Sequence, residues 1–145
     1  MTGPALDAAT VARLRLVVAR LYRQLAQASS GRDLTMAQLS ALARIEEHGP
    51  IRLGELAALE RVAAPSMTRT VTPLVAASLA ARVADPHDGR SFLVEPTAAG
   101  RALLARIRRQ RSELLARRID ALSAQDRETL SAAVPVLERL LADER

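Results

Sequence analysis

The chain has 145 residues, enough for one core with helical extensions and too few for a second catalytic domain. Apolar residues make up 49% of it and aromatic ones only 1%, so burial falls to Leu, Ala and Val, a mixture that favours helices. Basic residues outnumber acidic ones by 21 to 16, and every one of them is Arg; this excess points to an anionic partner, while the absence of cysteine excludes disulfides, thiol redox sensing and thiolate metal sites.

His48 and His87, the two histidines, are too distant in sequence to suggest a metal centre. No apolar run approaches the roughly 20 residues of a membrane span, and the start of the chain lacks a basic segment followed by an apolar one. The expectation is a cytoplasmic protein with no cofactor, metal or membrane partner.

Val11, Leu14, Val18, Leu21 and Leu25 recur at spacings of three and four, predicting a long first helix with one apolar stripe. Ser29-Ser30-Gly31-Arg32-Asp33 breaks that pattern. Thr35-Met36-Ala37-Gln38 then reads as a capping box opening a second helix through Leu39, Leu42 and Ile45. It stops at His48-Gly49-Pro50, where Gly tolerates a left-handed end, Pro cannot extend the ladder, and His48 suits the negative end of the helix dipole. A short third helix runs from about Leu53 to Glu60, and a fourth is opened by Pro65, whose missing N–H costs nothing at a first helical position. Together they outline a helix-turn-helix.

Leu79–Ala84 and Ser91–Glu95 are strand candidates around the turn-rich Asp85-Pro86-His87-Asp88-Gly89-Arg90, which predicts a β-hairpin. Thr97 caps a fifth helix carrying Leu103, Ile107 and Leu114, and Ser123 opens a sixth with Leu130, Val134, Leu137 and Leu141. The stripes of the first and sixth helices are too apolar to stay exposed, so they pair either within one subunit or between two.

Two segments carry candidate chemistry. Along Pro65-Ser66-Met67-Thr68-Arg69-Thr70-Val71-Thr72, helical spacing puts Ser66, Arg69 and Thr70 on one side with Thr68 and Thr72 flanking, while Met67, Val71 and Leu74 face inward. That division suits a helix lying in a DNA groove; it also describes an ordinary amphipathic helix with a wet face. At the hairpin tip, Asp88-Gly89-Arg90 projects an Arg that could enter a minor groove, with Asp88 holding its guanidinium; the bland reading is an exposed turn with a weak ion pair. Arg106, Arg108, Arg109, Arg111, Arg117 and Arg118 on the fifth helix read better as a solvated face, partly neutralised by Glu113 and Asp120, than as a phosphate-binding surface.

Gly54-Glu55-Leu56-Ala57, Pro65-Ser66-Met67-Thr68-Arg69, Asp85-Pro86-His87-Asp88-Gly89-Arg90-Ser91 and Thr97-Ala98-Ala99-Gly100 resemble the multiple-antibiotic-resistance regulator (MarR) family of bacterial transcription factors over nearly the whole chain. The resemblance implies a mainly α fold: a winged helix-turn-helix with a two-stranded hairpin wing, and a helical dimerisation region formed by both chain ends. The implied divisions are residues 1–34 (dimerisation helix), 35–96 (DNA-binding domain) and 97–145 (dimerisation helices). It implies a homodimer on palindromic double-stranded DNA, with Pro65, Ser66, Thr68, Arg69 and Thr72 at the major groove and Arg90, supported by Asp88, at the minor groove. It also implies a repressor released by a small aromatic or anionic effector in a crevice that Tyr22 could border, although a core or interface role suits that tyrosine better.

The chain departs from the family pattern at Ser78 and Arg61, where glycines are usual, at Pro73 and Pro135 inside helices, and at Pro96, where the second wing strand should end. No nucleophile with a base, and no carboxylate pair at a recognisable spacing, suggests an enzyme. A winged-helix protein-interaction module and a non-specific architectural DNA binder remain open as alternatives.

Overall fold

The structure, a computed structural model, describes residues 3–29 and 34–142; Ser30–Asp33, where the first helical pattern was expected to break, lie outside the described residues. The chain forms two compact units, residues 29–109 and residues 1–28 with 110–145. Among the described residues no helix is long and apolar enough to cross a membrane.

In the 29–109 unit the order is α2 (Met36–His48), β1 (Ile51–Arg52), α3 (Leu53–Leu59), α4 (Ala64–Ala76), β2 (Ala80–Asp85), β3 (Asp88–Pro96) and the start of α5 (Ala98–Asp120). The capping box forms as the sequence predicts: Thr35 Oγ1 accepts from the Gln38 N–H at 3.1 Å, and Gln38 Oε1 accepts from the Thr35 N–H at 2.9 Å. Helix α2 then buries Ala41, Leu42 and Ile45. Leu56, Val71, Leu74 and Val94 complete a fully buried centre with Leu42 and Ile45, to which α5 adds Leu104.

The end of α2 corrects an expectation. Gly49 is extended, with φ −62°, instead of left-handed. Its lack of a side chain matters for a different reason: a Cβ there would lie 2.4 Å from the Ile45 carbonyl oxygen. The sheet differs too. The expected two-stranded hairpin forms from β2 and β3, but a third strand is added to it in the order β1-β3-β2, because Ile51 and Arg52 pair with Val94 and Leu93. Two residues are too few to show strand periodicity in a sequence. Strand β3 does end at Pro96.

Both helices of the helix-turn-helix finish in the same way. After α3 the N–H groups of Arg61 and Val62 bond to the carbonyls of Ala58 and Ala57, and after α4 those of Ser78 and Leu79 bond to Val75 and Leu74. Each pair is a Schellman motif. Its left-handed position is held by Arg61 at φ 55° and Ser78 at φ 59°, the two places where the sequence departs from glycine.

Immediately beyond, Thr97 Oγ1 donates to the Ser78 carbonyl at 2.6 Å and accepts from the Gly100 N–H at 3.0 Å, so the residue that caps α5 also grips the end of α4. Gly100 lets the first turn of α5 lie against Leu79, whose carbonyl oxygen would be 2.1 Å from an added Cβ.

The other unit contains α1 (Ala8–Ala28), the later part of α5 and α6 (Ala124–Leu140). Asp7 Oδ1 caps α1 by accepting from the Thr10 N–H at 2.8 Å, and Ser123 Oγ caps α6 by accepting from the Asp126 N–H at 3.1 Å. Arg127 donates to the Asp120 and Leu122 carbonyls, satisfying the end of α5. Pro73 and Pro135 sit inside α4 and α6 without interrupting either helix. No residue of α1 or α6 is buried.

Two outcomes test this account by denaturant unfolding. Gly100→Ala forces a methyl into the Leu79 backbone and lowers stability by about 1–3 kcal/mol. Ser78→Gly and Arg61→Gly each relieve a left-handed non-glycine residue and raise stability by about 1 kcal/mol; unchanged or lower stability in both would contradict the strain assigned to them.

Candidate nucleic-acid interface

Helix α4 divides as its spacing requires. Met67, Val71 and Leu74 are buried, Pro65, Thr68, Arg69 and Thr72 are exposed, and Ser66 and Thr70 are half-buried. Pro65 lies in the first helical turn, where its missing N–H leaves no bond unmade. Arg69 Nη2 donates to Ser66 Oγ one turn back, at 3.3 Å. Among the described residues Arg69 enters no ion pair, and neither does Arg90 at the wing.

The wing is the hairpin of β2 and β3, paired from Ala80 with Pro96 to Ala84 with Phe92 and irregular at Ala84/Asp85. Asp88 and Arg90 are both exposed. Their expected contact takes another form: Asp88 Oδ1 accepts from the Arg90 backbone N–H at 3.0 Å and leaves the guanidinium alone. A carboxylate two residues before an N–H closes a tight local turn more readily than it reaches a long side chain. Asp88 therefore shapes the tip, and Arg90 projects freely.

Sequence reasoning missed the group that fixes the wing. Asp85 has a side chain only 1% exposed. Its Oδ1 accepts from the His87 N–H at 2.9 Å, and its Oδ2 accepts from Arg52 Nε at 2.8 Å and from Ser91 Oγ at 3.4 Å, with Arg52 Nη2 also 2.8 Å away in the ion pair. The His87 hydrogen bond first, and Arg52 second, hold the Asp85 carboxyl below its ordinary value, while the hydrogen bond to Asp85 raises Arg52. Asp85 ends β2 beside the turn at the wing's tip, and β1 runs directly into α3, so this pair ties the tip end of β2 to the start of the helix-turn-helix. An Asp opening a turn is a readable signal for the His87 bond; nothing local marks a partner 33 residues away. On the wing itself, the Arg82 guanidinium stacks 4.8 Å from the centre of the Phe92 ring.

The arginines of α5 find partners other than those expected. Arg108 pairs with Glu46 at 2.6 Å, Arg118 hydrogen-bonds Gln24, and Arg111 lies 5.7 Å from the centre of the Tyr22 ring. Among the described residues neither Glu113 nor Asp120 forms an ion pair.

The Asp85 carboxyl is depressed on folding, so its stabilisation is complete above the ordinary value of 3.8 and is lost as pH falls through the lower, folded value. Thermal midpoints measured from pH 7 down to pH 2 should therefore fall more steeply below pH 4 in the natural protein than in Asp85→Asn. Parallel curves would remove the pair from the acid response.

A sequence profile of the MarR family matches residues 34–92. The chain is 36% identical over 135 residues to an uncharacterised HTH-type transcriptional regulator of Mycobacterium bovis, covering 93% of this chain and 94% of that one. The crystal structure of a transcriptional regulator protein from Pseudomonas aeruginosa has a TM-score of 0.86 at 31% identity, covering 95% of this chain and 98% of that one. A MepR mutant of S. aureus bound to an oligodeoxyribonucleotide shares the fold, with a TM-score of 0.71 at 17% identity over 94% of this chain and 99% of that one. With a winged helix-turn-helix in its structure and a relative of that identity along nearly its whole length, the chain belongs to the MarR family of DNA-binding transcriptional regulators.

Proposed function

We propose that the protein is a homodimeric repressor that reads a palindromic operator, with α4 in the major groove and the tip between β2 and β3 in the minor groove. The observation that carries this reading is the pairing of an α4 face bearing Pro65, Ser66, Thr68, Arg69 and Thr72 with a wing bearing Arg90, two arginines that no acidic residue neutralises among the described residues. An Arg without an internal counter-ion is available to phosphate or to a base edge. The oligonucleotide held by the MepR mutant supports the same use of the shared fold.

Dimerisation through residues 1–34 and 97–145, with residues 35–96 reading DNA, is part of the proposal. It is supported by the apolar side chains that α1 and α6 leave open, among them Val11, Val17 and Val18 on one and Val134, Val136 and Leu140 on the other, each between 45% and 65% exposed. Faces of that kind call for a partner surface. A dimer puts two copies of α4 on successive major grooves, so the half-sites lie about 10 bp apart or slightly more. Release by a small aromatic or anionic effector belongs to the proposal through the family resemblance.

Fluorescence anisotropy with the chain's own upstream duplex, beside a scrambled duplex at two salt concentrations, tests the reading. The native duplex should be preferred by about a thousandfold. Arg90→Ala should weaken binding and reduce the salt slope by about 1. Equal affinity for both duplexes would favour an architectural binder; no binding at low salt would favour a protein-interaction module.

A further inference from the structure

The exposed face of α4 is short of hydrogen-bond donors. Thr68 Oγ1 donates to the Ala64 carbonyl at 3.2 Å, Thr70 Oγ1 to Ser66 at 3.0 Å, and Thr72 Oγ1 to Thr68 at 2.7 Å. A hydroxyl has a single proton, and in all three it is committed to the helix's own backbone. What Thr68 and Thr72 turn outward is a γ-methyl group and the remaining lone pairs of an oxygen. Their exposed neighbours Pro65, Pro73 and Ala76 add only carbon surface. Among the exposed side chains of α4, Arg69 alone offers N–H donors, arranged in a planar fork of which one nitrogen touches Ser66 Oγ.

We infer that α4 reads its half-site through one guanine and adjacent thymine methyl groups, and not through hydroxyl hydrogen bonds from its threonines. The fork of Arg69 fits the O6 and N7 acceptors of guanine, and the γ-methyls of Thr68 and Thr72 fit the C5-methyl that only thymine carries into the major groove. Threonine is suited to this because its back-bonded hydroxyl fixes the rotamer, so each methyl is presented in one direction. This inference rests on α4 entering the major groove, as proposed above.

The experiment begins with selection of duplexes from a random pool by the full-length protein, which gives the preferred half-site. Each thymine of that site is then replaced by uracil, which removes one methyl group and nothing else, and the guanine by 7-deazaguanine, which removes N7. At least one uracil substitution should weaken binding by about fourfold, the worth of burying one methyl, and deazaguanine should weaken it for the natural protein but not for Arg69→Ala. Thr68→Val and Thr72→Val keep the methyl and should keep the thymine preference; Thr68→Ser and Thr72→Ser keep the hydroxyl and should lose it. All five variants are first compared with the natural protein by circular dichroism melting, and those that melt alike are carried forward. A selected site insensitive to every uracil substitution, with binding lost in the valine variants, would overturn the methyl readout while leaving the operator reading intact. Failure to select any site overturns both.

Discussion

The reading unit depends on a junction of a few atoms around Ser78 and Leu79. Ser78 turns the chain out of α4 in a left-handed conformation, and its carbonyl receives the Thr97 hydroxyl. The Leu79 carbonyl receives the Thr97 N–H and lies beside the side-chain-free Gly100. The end of α4, the start of β2, the end of β3 and the start of α5 therefore meet at one place. The orientation of α4 and the take-off of the wing both follow from it, because the helix ends and the hairpin begins within three residues.

Arginine serves two opposite purposes in this chain. Arg44, Arg52 and Arg108 are structural: Arg44 reaches Glu60, which also accepts from Ser40 and so holds α2 against the end of α3; Arg52 holds Asp85; Arg108 holds Glu46. Among the described residues Arg69 and Arg90 have no carboxylate partner, and both stand exposed. Composition alone gives only a total of +5. The useful quantity is where positive charge is left uncompensated, and that is decided by which acidic residues the fold brings near.

What could be read from the sequence had short reach. The capping groups of Thr35, Thr97 and Ser123 act within three residues of themselves, and the inward set Met67, Val71 and Leu74 follows from helical spacing, so both were legible. The strain at Arg61 and Ser78 was legible only through the family resemblance, which puts glycine at both positions. Long-range terms were not. The β1 strand exists only because β3 lies beside it; Gly49 is needed for a close approach and not for a left-handed turn; and Asp85 is paired with an arginine at the far side of the helix-turn-helix. Asp88 illustrates the limit within a single turn, since its nearest donor proved to be a backbone amide.

The link between exposed Arg52 and buried Asp85 has a kinetic meaning. A hairpin tethered only by its own strands would sweep through many orientations, and a partner touching both it and α4 would have to arrest that motion on contact. With the tip end of β2 tied to the residue that precedes α3, the search is completed when the chain folds. Association then resembles the docking of one rigid object with two fixed contact points, so the loss of conformational freedom falls on folding instead of on recognition.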